Sequence, residues 1–133
     1  MAPIFAKDTQ ISVSRSQFDV HALLTKYGAS NVGIGFNEID GVAVVVFRFG
    51  DQGFRLELPM PTLANPGHVP DHWDLLSDAN KRTYLTQGTK ARWRSLVLLV
   101  KAKLEAIRIG LTTARAEFPA LNAGPSTDLA RTG

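Results

Sequence analysis

Lys81, Arg82, Lys90, Arg92, Arg94, Lys101, Lys103 and Arg108 place eight of the chain's fifteen Lys and Arg within residues 81–108, beside one of its twelve acids, Glu105. That window carries a formal charge of +7, the remainder carries −4, and the whole chain carries +3. Lys90, Arg94, Lys101 and Arg108 follow one another at intervals of four, seven and seven residues, which puts them on one stripe of a helix. The chemistry open to such residues is non-covalent. Guanidinium and ammonium groups donate charge-assisted hydrogen bonds to phosphate or carboxylate, and like charges without acidic neighbours three or four residues away repel until a polyanion relieves them. The plainer alternative is a solvated face opposite an apolar stripe.

No residue set with catalytic spacing accompanies the cations. Cysteine is absent, so thiolate metal ligands, disulfides and a cysteine nucleophile are excluded. His68, Asp71, His72 and Asp74 cluster metal-capable side chains, but in a proline-rich segment with no supporting motif elsewhere, and no metal site is expected there. Gly33-Ile34-Gly35 is followed by no helix start, so it is not a phosphate loop, and His21 falls on a helix surface away from any nucleophile. The expectation is a non-enzymatic protein with no cofactor. Trp93, between Arg92 and Arg94, could stack on a base, and Phe47 with Phe49 could form a stacking platform on a strand. Their apolar surroundings favour core roles for all three.

The elements that must position these residues follow from periodicity. With 133 residues, 44% of them apolar, the chain can bury one core, and the expectation is a single α+β domain over 1–121 with a disordered Gly/Pro/Ser/Thr-rich tail over 122–133. Ser14, with Gln17 three residues on, predicts a helix over about 15–27 that buries Phe18, Ala22, Leu23 and Tyr27 and stops at Gly28. Ile11 and Val13 alternate with polar residues and suggest a short edge strand before it. From Asn31 the period becomes two, and Val32 to Phe36, Val42 to Phe49 and Phe54 to Leu58, separated by turn residues, predict a three-stranded antiparallel meander. The middle strand is apolar at consecutive positions, so either both its faces are covered or one awaits a partner.

Four of the seven prolines fall between Pro59 and Ser77, which predicts a crossing loop with one helical turn around Trp73 to Leu76. Cap residues at Ser77 to Asn80 open a long helix that runs to Ile109 and spans about 48 Å, with Gly88 as a site for a kink or break. Trp93, Val97, Val100, Leu104, Ile107 and Leu111 form its apolar stripe, which should pack on the sheet. Thr112 or Thr113 caps a last short helix through Phe118, halted by Pro119. The fold class expected is therefore α+β in the order α-β-β-β-α. The N-terminal ten residues lack a signal-peptide core, and the longest apolar run, Leu96 to Val100, is far short of the roughly 20 residues that span a bilayer, so a cytoplasmic protein without membrane contact is expected.

Lys26-Tyr27-Gly28-Ala29, Phe54-Arg55-Leu56-Glu57-Leu58-Pro59-Met60-Pro61 and Arg92-Trp93-Arg94-Ser95-Leu96 with Lys101-Ala102-Lys103-Leu104-Glu105-Ala106, in that order, resemble a family of small uncharacterised proteins encoded by tailed phages and prophages. The likeness spans about residues 1–118 and has no activity attached to it. It implies a phage-encoded protein acting in the bacterial cytoplasm, in DNA metabolism or in countering host defence. A second likeness is topological: helix, three antiparallel strands, helix is the order of double-stranded RNA-binding domains, with Gly88-Thr89-Lys90-Ala91-Arg92 near the start of the core helix. The long crossing from Pro59 to Ser77 and the lack of those domains' strand motifs set this chain apart.

Two functions compete on these grounds. In the first, a phage-type accessory protein binds nucleic acid, DNA ahead of RNA, through the eight cations of the long helix; five phosphate contacts would give a salt slope of about −4 to −5. In the second, the same cations meet an acidic groove of a host protein, such as a defence nuclease or polymerase, which the chain captures or inhibits. The apolar helix and sheet edge also allow a homodimer.

Overall fold

Ser12, in extended backbone, opens the first helix, α1 (Val13–Lys26), its hydroxyl accepting from the Arg15 amide at 3.1 Å. The cap is thus two residues earlier than the Ser14 expected from the capping-box spacing, and Val13 is helical rather than part of an edge strand. The shift follows from the face that α1 buries: Ser16, Val20 and Leu24 are buried, whereas Phe18 is 64% exposed. Ser16 escaped the hydrophobic pattern because it is polar, yet its small side chain is what a close helix–helix approach admits. Gly28, at φ +99, ends the helix and lets the Ala29 amide return to the Leu24 carbonyl at 2.9 Å. The computed structural model describes residues 9–37, 39–67 and 69–121; the expected tail over 122–133 lies outside them.

The meander is present as expected. Strands β1 (Ser30–Asn37), β2 (Val42–Phe49) and β3 (Gln52–Pro59) pair antiparallel in that order. On β2 the pleat divides the apolar run in two: Ala43, Val45 and Phe47 are buried beneath the helices, while Val42, Val44 and Val46 are half-buried on the opposite face. Opposite Val46 stands Gly33, where an added Cβ would lie 3.1 Å from a Val46 methyl, so the valine leans over a position that has no side chain. The free edge of β3 is partly taken up by the end of the described chain. The Arg55 amide donates to Pro119, the Leu121 amide to Gly53, and Phe54 bridges to Ala120.

After a single 3-10 turn at Trp73–Leu75, Ser77 caps the long helix α2 (Asp78–Arg108), accepting from the Asn80 amide at 3.1 Å. Its 31 residues run unbroken through Gly88, so no break forms there. The glycine has a different reason: an added Cβ would sit 3.3 Å from the Pro61 ring, where the crossing loop presses on the helix. Trp93, Leu96, Val97, Val100 and Leu104 form the buried ridge of α2. Leu111 leaves the expected stripe and is 76% exposed, because α2 ends at Arg108 and Gly110, at φ +84, redirects the chain.

Thr113 caps the last short helix, α3 (Ala114–Glu117), and Phe118 drops from it into the core. Phe118 meets Phe47 edge-on at 5.1 Å, and Phe47 stacks on Phe54 at 5.6 Å. Phe47 therefore serves packing rather than a stacking platform. Trp93, fully buried, sets its ring edge-on to Phe36 at 6.0 Å. No helix among the described residues is long and apolar enough to cross a membrane.

Because Phe118 fills space between two other rings, Phe118→Ala should cost about 3–5 kcal/mol in urea-induced unfolding. Phe18→Ala, at an exposed position of α1, should change stability by less than about 0.5 kcal/mol in the same measurement.

Candidate functional site

At about 100° per residue, the cations of α2 fall on two flanks of its buried ridge rather than on one common face. One flank faces α1. Arg94 reaches Asp19 of α1 at 2.8 Å, with side chains 14% and 23% exposed, and Arg15 approaches the other oxygen of the same carboxylate at 3.2 Å. Arg108 holds both oxygens of Glu105, three residues earlier, at 2.9 and 2.8 Å. Lys90 and Lys101 share this stripe by spacing.

The other flank faces the crossing loop and α3. Lys103 bonds Glu117 twice, its carboxylate at 3.0 Å and its carbonyl at 3.2 Å, and lies 6.0 Å from the Phe118 ring. Arg92 donates to the Pro59 carbonyl at 3.0 Å, and the Lys81 ammonium stands 5.4 Å from the centre of the Trp73 ring. Arg94, Lys103 and Arg108 are therefore already matched by carboxylates, which corrects the expectation of a charge left unneutralised by the fold. Among the described residues, Arg82, Lys90 and Lys101 have neither an ion-pair nor a hydrogen-bond partner.

The titration of the acids reflects this pairing. The hydrogen bond from Arg94 holds the Asp19 carboxyl below its ordinary value, against a burial effect that would raise it. Lys103, then Thr112, lowers Glu117, and Arg108 lowers Glu105. Arg94 keeps one cost of its position: its Nε is buried and makes no hydrogen bond among the described residues, as are the Trp93 indole nitrogen and the Ser16 hydroxyl. Desolvated donors and charges of this kind make the α1–α2 seam an internal joint, not a ligand surface.

The C-terminal half of α2 turns an apolar strip outward. Leu98, Leu99 and Ile109 are 38%, 51% and 54% exposed, and the exposed Ala102 lies among them on the side away from the core. Lys101 and Arg92, both exposed, border this strip on either side. Sequence reasoning put Val97 and Val100 on the buried stripe and weighed Leu96 to Val100 only for its length, so Leu98 and Leu99 were given no face. The missed signal was rotation: five consecutive helical residues turn through more than a full circle, so they cannot all face the core. The metal-capable cluster offers no comparable site. Asp71, His72 and Asp74 are exposed, His68 lies outside the described residues, and no group of three metal-capable side chains occurs among those described.

Asp19→Asn should cost about 1–3 kcal/mol at neutral pH, because it leaves Arg94 desolvated without its anion. Asp19 titrates lower in the folded chain than its ordinary 3.8, so its contribution is complete above that pH and is lost as pH falls through the folded value. Urea unfolding of the two proteins should therefore differ by a constant amount from pH 5 to 7 and converge below about pH 4.

No protein-family model, no curated protein and no solved structure matches this chain. Its function has to follow from the residues just described.

Proposed function

We propose that the protein is a protein–protein interaction module whose outward α2 face docks on a partner with an apolar centre and an acidic rim. The observation that carries this reading is the pairing of Leu98, Leu99, Ala102 and Ile109, exposed together, with Lys101 and Arg92 at their borders. An exposed apolar strip loses free energy to water until it is covered, and cations at its rim select which surface covers it. The only acid of the helix window, Glu105, is held by Arg108, so nothing on the strip repels an acidic partner. The likeness to phage-encoded proteins makes that partner a factor of the bacterial host, captured or inhibited in the cytoplasm.

Nucleic-acid binding is the second reading, supported by Arg82, Lys90 and Lys101, which have no ion-pair or hydrogen-bond partner among the described residues. Three phosphate contacts give a salt slope of no more than about −3, shallower than a uniformly basic helix would produce.

Pull-down from nuclease-treated bacterial lysate, with the wild type beside the double variant Leu98→Asp and Leu99→Asp, tests the choice. An acidic protein retained by the wild type and lost by the variant, whose melting temperature stays within a few degrees, is the expected result. Lys101→Glu should weaken the same capture by about tenfold. Anisotropy with labelled duplex DNA at two salt concentrations provides the opposite outcome: tight binding unchanged by the leucine substitutions would give the function to nucleic acid instead.

A further inference from the structure

At the end of the sheet opposite the Phe118 cluster, an open groove of about 860 Å³ runs between the first turns of α1, the N-terminal half of α2 and the start of the crossing loop. Phe36 lies among its walls, and Leu85 and Thr86 line it from α2. Its lips are unusual. Ile39 and Leu63 line the opening while 91% and 48% exposed. Ile39 is not loose: Asn37 accepts from the Ile39 and Asp40 amides at 2.9 and 3.1 Å and receives the Gly41 amide on its carbonyl, so the turn holds the isoleucine at the rim.

The groove's charge is as informative as its shape. Among the described residues that line it, Arg82 is the one charged group and none is a carboxylate. Arg82 makes no ion pair among the described residues, and Thr86 lies one helical turn along on the same face of α2. The remaining polar lining consists of neutral hydroxyls and one amide, groups that a hydrocarbon chain would leave unsatisfied but a peptide backbone would engage. The volume is in the range of pockets that enclose a ligand of a few residues.

The geometry points to a peptide-binding groove that takes a short apolar segment ending in a carboxylate, with the carboxylate at Arg82 and apolar side chains between Ile39, Leu63 and Phe36. This site is separate from the outward face of α2 and stands without it. The ligand is the unfolded C-terminal end of another protein, recognised by its one negative charge and its apolar flank.

The probe is a fluorescein-labelled hexapeptide of alternating leucine and alanine with a free C-terminal carboxylate, compared with its C-terminal amide by anisotropy. The acid should bind at least about tenfold more tightly than the amide, the size expected for one charge-assisted contact. Arg82→Gln should abolish that preference, and Ile39→Ser should weaken both peptides several-fold; both positions are exposed, so circular dichroism should be unchanged. The double variant Leu98→Asp and Leu99→Asp should bind the acid as the wild type does, which separates this site from the α2 face. Equal affinity for acid and amide, an Arg82→Gln variant that keeps the preference, or no saturation up to about 1 mM would each overturn the assignment.

Discussion

Arg94 enters the seam between α1 and α2 because its neighbour Trp93 is fully buried, and it is tolerated there because Asp19 meets it at 2.8 Å. This contact is compatible with one rotation of α2 about its own axis, the same one that buries Trp93, Leu96, Val97, Val100 and Leu104 in a 31-residue helix. The face that α1 buries beside it includes a serine, Ser16, at 0% exposure. A buried ion pair of this kind adds little net stability over apolar packing, but either partner alone would be costly, so the pair constrains register more than it strengthens the fold.

Charge density along a sequence is consequently a poor guide to charge presented to a ligand. The cations on α2 follow the helix repeat, but the segments packed alongside bring their own acids. Asp19 arrives from α1 and Glu117 from α3, and neither is near its partner in sequence. The result is an outward surface less basic and more apolar than the window of +7 implies.

Much of the architecture was legible from local chemistry. The Gly50-Asp51 turn, the helix caps and the prolines after Leu58 each act within a few residues, and from the caps that the sequence offered, Ser77 to Asn80 and Thr112 or Thr113, the structure uses Ser77 and Thr113. The first helix was harder because the capping-box spacing to Gln17 favours Ser14, whereas Ser12, with Arg15 in that position, is the cap that goes with the burial of Ser16, Val20 and Leu24. Gly88 was misread for a similar reason: its cause is Pro61, far away in sequence. The candidate site was legible only in composition. Its cations were visible, but their partners, the outward leucines and the groove beside Arg82 depend on how three helices lie together, which no spacing rule encodes.

The edge of β3 has a consequence for association. Where strands point their unpaired backbone groups outward, a second sheet can add on and growth can continue without limit. Here Pro119 to Leu121 occupy one end of that edge, while at the other Pro59 has no amide to offer and its carbonyl is held by Arg92. Only the short stretch around Glu57 is left on this side for a further strand. Two copies that joined through β1 would present only such shortened margins to the solvent, which works against strand addition propagating beyond a pair.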